Sequence, residues 1–503
     1  MSEPDGASAT GGTVLDRLGA ELREGDAGLI ALVMAGIYVL FTIFAILGPP
    51  QGVGGVVAAL QAVTFWTALY AMLVLALNLH WGYAGLFNIG VAGFMAVGVY
   101  TFAAITAPTG GTPPGLGLPL WVGVVGGMLM AAVAGAVIAL PALRLRADYL
   151  AIVTVAFSEI VRLTLLSTTF QQFTLFANVP ILPDIPLGTG AGRGINIPIN
   201  PTIPVKSLFY TNPGNPASGS RTALGDAVIS AFGAAGVRET VVVSLAYTLV
   251  LIAFVALFYW LLRRIGNSPF GRVLKAIRED ELVANSLGKD TRLFKVKVFM
   301  VGCALMGLGG ILWETQKGYT DPTATTFMPI QTFYIFIALM IGGAGSNTGS
   351  VLGGALFASL LFQGPQRVAG IFTKYFVSGE APTTFAGALA PVGSLDFGPL
   401  FAYTLQNVPP LRFVLLGVVL IVLMQRRPSG LLGHRKEVAA SVPLSDRGGR
   451  PGRDGPRPAA DGGFVSDASD TSSEHGSDGS EPAGEDRAAD GSDRSPEGGD
   501  GDE

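Results

Sequence analysis

Residues 263–297 carry nine Lys/Arg and four Asp/Glu, while the flanking runs 240–262 and 298–316 are almost free of charge. Each flanking run is long enough to cross a hydrocarbon core, which takes about 20 helical residues for roughly 30 Å. A basic segment between two such runs belongs on the cytoplasmic side. The segment is also patterned. Leu274, Ile277, Ala284 and Leu287 recur at helical spacing, with charges between them. Ser268-Pro269 reads as a helix start, Gly288 as its end, and Asp290 as the cap of the helix that follows. Such a surface helix either docks a soluble partner or is a solvated connector that sets topology. The pattern alone leaves both open.

Half of the 503 residues are apolar, only 14% are charged and 69 are glycine. That combination points to a polytopic, all-α membrane protein in contact with lipid. The single cysteine, Cys303, lies in an apolar run, which excludes a disulfide framework and suggests an inert packing residue. His80, His434 and His475 are scattered and form no ligand cluster. No metal, cofactor or nucleic-acid partner is expected. Residues 437–503 hold 17 acidic and six basic residues, a net −11 against +7 for the first 436. This Gly, Ser, Asp and Glu stretch cannot bury a core, so the segment 434–503 is expected to be an acidic, disordered cytoplasmic tail.

The candidate spans are 28–48, 56–79, 85–107, 119–142, 148–167, 240–262, 298–316 and 409–425. The run 327–363 is too long for one crossing and has GGAGSNTG in its middle. With 263–297 inside, counting backwards places Arg144 and Arg146 inside, and counting forwards places Arg426, Arg427, Arg435 and Lys436 inside only if 327–363 crosses twice. The parity therefore gives about ten spans and two cytoplasmic ends. The division is a cytoplasmic segment 1–27, a membrane domain 28–433 and the tail. The run 28–48 lacks the basic flank and small-residue cleavage site of a cleavable signal. Two insertions, 168–238 and 364–408, fall outside the membrane, and both are rich in Pro, Gly, Asn and Thr. Long segments without evident periodicity are functional or disordered, here either a docking surface for an external partner or a decoration.

Ionisable side chains are scarce within the spans. In 148–166, Glu159 and Arg162 stand three residues apart on one helical face. Glu159 would lie about 13 Å deep at 1.5 Å per residue. Charges there cost roughly 2.5–3.5 kcal/mol unless paired. The two either line a pathway or neutralise each other. The stretch 78–100 spaces glycines at 82, 85, 90, 93 and 98, which allows close helix contact or irregular backbone at depth. Asn78 and Asn88, with Gly342, Gly343, Gly345 and Ser346, would supply the polar groups of a translocation pathway.

Five blocks together resemble a known family. NLHWGYAGLFNIGVAGFMAVGVYT, ADYLAIVTVAFSEIVRL, the segment from Gly271 to Leu312, IGGAGSNTGSVLGGAL and RRPSGLLG occur in family order. They are similar to the inner-membrane permeases of branched-chain amino-acid ABC importers, most closely the LivM-type subunit. The resemblance implies an ABC importer permease of the vitamin B12 and ribose importer kind in the cell membrane. It implies a second related permease, two cytoplasmic ABC ATPases and an extracytoplasmic solute-binding protein. Carried over by position, Arg278, Glu279, Asp280, Ala284 and Gly288 would form the coupling helix that fits a cleft on the ATPase. The chain departs from the family at Leu86 and Val91, where polar residues are frequent, and at Ser350, where proline is. No GxxxxGK[ST] is present, so ATP hydrolysis would belong to the partners rather than to this chain. An ion-driven secondary transporter would need in-span carboxylates or histidines, and import of urea or short amides is a further variant of the ABC reading.

Overall fold

A computed structural model describes residues 26–49, 52–142, 147–175, 185–376, 382, 384–406, 408–427 and 429–432. The segment before residue 26, the basic residues Arg144, Arg146, Arg435 and Lys436, and the acidic tail lie outside the described residues. The helix α1, Asp26–Leu47, leads into α2, Val53–Asn78, which runs on through a π-turn at Leu79–Tyr83. From Thr67 to Asn78 every residue of α2 is buried. A helix apolar all round belongs at the centre of a bundle. Here α2 packs against α1, against α8 (Glu239–Asn267) and against α11 (Thr291–Glu314), whose ranges follow the order described below.

After the π-turn the chain is non-helical from Gly85 to Gly90, and α3 is only Val91–Thr106. The expected span 85–107 is thus a short helix entered through an extended loop, because its clustered glycines and Asn88 do not sustain a helix there. Next come α4, Leu120–Ala142, and α5, Ala147–Leu166. The helices α3, α4 and α11 cross at three glycines. A Cβ on Gly98 would lie 2.6 Å from the Gly307 Cα, and one on Gly127 would lie 2.6 Å from the Gly98 carbonyl oxygen. Small residues let these backbones touch, which is how membrane helices gain packing energy without a hydrophobic drive between them.

The first insertion is structured, contrary to its aperiodic appearance. It contains a β1–β2 hairpin (Phe173–Leu175 with Ile185–Leu187), a strand β3 (Ile195–Asn196), α6 (Ile203–Lys206) and α7 (Ala223–Ala234). Strand β3 pairs antiparallel with β4, Tyr319–Thr320, just beyond α11. Ile195 and Ile197 are fully buried and join a cluster with Tyr100, Ile311 and Phe327 at the ends of α3 and α11. The fold is therefore mostly helical with two small sheets, rather than purely α.

Beyond α8 follow α9, Pro269–Glu279, and α10, Glu281–Ser286, then α11. The run 327–363 becomes α12, Pro329–Gly342, and α13, Asn347–Leu356, bent by 119° at their junction. The second insertion is helical as well, with α14 (Gly364–Phe376), α15 (Phe385–Leu389) and α16 (Gly398–Gln406) before α17, Val408–Arg426. Among the described residues six helices are long and apolar enough to cross a membrane, or seven if the bent pair counts as one. Outward residues such as Leu32, Trp121, Leu129 and Val137 are more than 60% exposed, apolar surface of the kind that faces lipid.

Candidate functional site

The charged segment begins as expected. The Ser268 hydroxyl accepts a hydrogen bond from the Gly271 amide at 3.2 Å, and Pro269 opens α9. Leu274 and Ile277 turn into the core. The single helix expected up to Gly288 is instead two. Asp280 adopts an extended backbone, and its carboxylate accepts from the amides of Leu282 at 2.9 Å and Val283 at 3.1 Å. An aspartate that can cap competes with the helix it sits in, and here capping wins. Ala284 is buried, but Leu287 is 72% exposed, against the inward place its spacing gave it, as are Leu282 and Val283. Gly288 ends α10 with φ +75°, and Asp290 caps α11 through the Leu293 amide at 3.1 Å, both as anticipated. The result is a two-helix elbow whose exposed tip carries Leu282, Val283 and Leu287, with Glu279, Asp280 and Lys289 exposed beside it.

Two cations of α9 point inward. The Arg278 guanidinium donates to the Gly82 carbonyl inside the π-turn and to Glu279 at 2.7 Å. The Lys275 ammonium lies 5.5 Å from the centre of the Tyr83 ring, on a side chain that is itself buried. Tyr83 leads deeper. Its hydroxyl accepts from the Asn347 amide at 2.8 Å. Asn78 donates to the Asn347 carbonyl oxygen at 3.1 Å and accepts from the Gly345 amide at 2.8 Å. The elbow is thereby tied to the π-turn of α2 and to the α12–α13 break.

That break is shaped by Gly343 (φ +101°) and Gly345 (φ +93°), after which the Ser346 hydroxyl accepts from the Gly349 amide at 3.0 Å to cap α13. Gly342 packs so tightly that a Cβ would lie 1.9 Å from the Gly349 carbonyl oxygen. The segment after α17 closes the junction. Leu431 and Leu432 donate to the carbonyls of Ile341 at 2.9 Å and Gly342 at 3.0 Å, and a Cβ on Gly430 would lie 2.6 Å from the Gly343 Cα. Three blocks distant in sequence thus meet at one place. Asn88 works alongside them. It accepts from the Gly90 amide at 2.8 Å and donates to His80 Nδ1 at 3.1 Å. With Nδ1 accepting, His80 carries its proton on Nε2, which donates to the Phe299 carbonyl at 3.0 Å. Both asparagines are wholly buried and hold irregular backbone in shape.

Glu159 and Arg162 stand outside this junction. Arg162 grips Glu159 with two bonds, 2.9 and 2.5 Å, within one helix, at 17% and 37% side-chain exposure. A carboxylate more deeply buried than Glu159 was not singled out from sequence. Glu314, at the end of α11, is 1% exposed and is bonded to Lys317 and Thr326, each at 2.8 Å. Lys275, Tyr83, His80 and Asn347 were likewise not singled out. At the other end of α2 a cavity of about 360 Å³ opens between Gln61, Phe65, Trp66, Lys206, Tyr247 and Gln316.

The chain belongs to the family described as branched-chain amino acid transport system / permease component, whose model matches residues 59–424. It is a multi-pass membrane permease. It is 33% identical over 290 residues to the high-affinity branched-chain amino acid transport system permease protein LivM of Escherichia coli, covering 58% of this chain and 60% of that protein. It is 26% identical over 404 residues to the probable branched-chain amino acid transport permease protein LivM of Methanocaldococcus jannaschii, covering 75% and 94%. It also matches the permease protein BraD of Pseudomonas aeruginosa over 116 residues at 30% identity. The match thus spans about 60% of the length of the enterobacterial relatives. No solved structure matches significantly.

Proposed function

We propose that this chain is the transmembrane permease subunit of an ATP-driven importer of branched-chain or related amino acids, built on about ten membrane crossings in the manner of the vitamin B12 and ribose importers. It resides in the cell membrane with both termini cytoplasmic. It shares the translocation pathway with a second related permease, while two cytoplasmic ATPases hydrolyse ATP and an extracytoplasmic binding protein delivers the solute. The chain itself hydrolyses nothing.

The observation that carries this reading is the elbow of α9 and α10, anchored by Arg278 to Gly82 and by Lys275 beside Tyr83. Its exposed tip, Leu282, Val283 and Leu287 with Glu279 and Asp280, is the face that fits an ATPase cleft. A push on that tip reaches the π-turn and the α12–α13 break together, because Tyr83, Asn347, Asn78 and Gly345 form one hydrogen-bonded chain. Asn78, Asn88, Gly342, Gly343, Gly345 and Ser346 serve the pathway as its jointed framework. Glu159 and Arg162 neutralise each other at its flank. An ion-coupled transporter would need a carboxylate free to take up its ion, and Glu314 is held by Lys317.

The test is purification from mildly solubilised membranes at native salt with mass spectrometry of stoichiometric partners, followed by uptake in energised vesicles. Two ATPases and a second permease, with uptake that needs ATP hydrolysis and resists ionophores, are expected. A chain recovered alone whose uptake ionophores abolish would overturn the reading.

A further inference from the structure

The cavity at the Lys206 end of α2 has a composition that the junction lacks. It holds about 360 Å³, within the range of small-molecule sites of roughly 300–1,000 Å³. Part of its lining is apolar, with Phe65, Trp66, Val205 and Val243. Trp66 is set by ring contacts with Trp313 at 5.5 Å and Phe362 at 4.9 Å, which makes this wall rigid. Another part is polar, with Gln61, Gln316, Thr202 and Ser244. Lys206 is the one ionisable cation of the lining, and no Asp or Glu lines it.

Lys206 is in an unusual position. Among the described residues it forms no ion pair, and burial pulls its ammonium below the usual lysine range. A half-buried cation without a counter-ion costs free energy that an arriving anion would recover. The lysine is also held in place. It sits in α6, whose Val205 is buried, and α6 is anchored by the Asn200 amide, which accepts from both the Thr202 amide at 3.0 Å and its hydroxyl at 2.6 Å. The amide oxygens of Gln61 and Gln316 and the Ser244 hydroxyl can accept hydrogen bonds from an ammonium group. Gln61 is oriented by donating to Thr248 at 3.1 Å, which leaves its oxygen free to accept.

We propose that this cavity is a transit site for a zwitterionic amino acid with an apolar side chain. Lys206 takes the carboxylate, Gln61 and Gln316 take the ammonium, and the Phe65–Trp66 wall takes the side chain. This rests on the importer reading and narrows it, because urea and short amides carry no carboxylate for Lys206. It also gives the first insertion a task, since α6 brings the lysine to the cavity beside α2 and α8.

The test is ATP-driven import of labelled L-leucine by the complete transporter in proteoliposomes supplied with the binding protein. Lys206→Gln lowers import by about tenfold at sub-saturating solute, the scale of one charge-assisted contact. Lys206→Arg retains most of it, because the charge remains. Ser244→Trp leaves Lys206 in place and alters an exposed position on the cavity rim. It lowers import by obstruction, and the amount of assembled complex is checked by size-exclusion chromatography for all three. Wild-type import with Lys206→Gln and Ser244→Trp both at the wild-type rate overturns the transit site and leaves the importer reading standing. Equal loss in Lys206→Gln and Lys206→Arg, with the complex intact, also overturns it. No leucine import by the wild-type complex removes the importer reading, and the transit site with it.

Discussion

The two ends of α2 are built on opposite principles. At one end Asn78 is bonded to Asn347 and Gly345, Arg278 is bonded into the π-turn, and glycines bring backbones into contact. At the other end, about 25 Å away by the rise from Gln61 to Asn78, a cavity is lined by Lys206, which forms no ion pair among the described residues. The contrast shows how burial alone misleads. Buried asparagines deep in a membrane protein look like solute ligands, yet these amides are bonded to one another and to the backbone. What they offer is stiffness. A half-buried lysine in an insertion looks like decoration, yet its unmet charge is what a ligand site needs.

Several substitutions would break or sharpen this division. The largest effect is expected at the junction of the three blocks, where Gly430 has φ +78° and no space for a Cβ. Gly430→Val should destabilise the permease by about 3 kcal/mol or prevent its assembly, as read by the yield of monodisperse protein and its thermal unfolding. Unchanged yield and melting would mean that the last block does not close on the α12–α13 break.

Next come the paired amides. Asn78→Leu or Asn347→Leu each strands a buried partner, at about 1–3 kcal/mol. The double substitution should cost less than the two singles summed, because it removes both halves of the same contact. Additive losses in thermal unfolding would show that the two side chains act independently. Asp280→Ala removes the cap of α10 and should cost about 1 kcal/mol while loosening the elbow, with transport falling more than stability. Transport and stability falling in proportion would deny the elbow a coupling role.

The smallest effect is expected for Glu159 and Arg162. Either single neutralisation leaves one charge without its partner, so each should lower expression more than the double change does. Equal harm from all three variants would show that the pair is not self-contained.

Much of this was legible in the chain. The flanking apolar runs, the Ser268 and Asp290 caps, the Gly288 terminus and the five ordered blocks led to a permease with a surface helix between spans. The break at Asp280 was not foreseen, because the apolar spacing of Leu274 to Ala284 continues across it while capping is decided by local competition. The same spacing points Leu287 inward, but beyond the break it is exposed. The resemblance places Arg278 on the coupling helix and the sequence gives Lys275 no role; their inward contacts with Gly82 and Tyr83, nearly 200 residues earlier, follow from no local pattern. Apolar content extends the expected helix over 85–90, whereas the glycines and Asn88 there favour the loop that the structure shows. The first insertion carries a strand signal. The alternation Ile195-Asn196-Ile197 is strand-like, and both isoleucines are buried.

The most direct test of the account is the number of leucine molecules imported per ATP hydrolysed by the complete reconstituted transporter, compared between the wild type and Arg278→Met. The account predicts that hydrolysis continues while leucine imported per ATP falls at least about tenfold, because the elbow still meets the ATPase but no longer holds the π-turn. An unchanged ratio in a fully assembled Arg278→Met complex would contradict it.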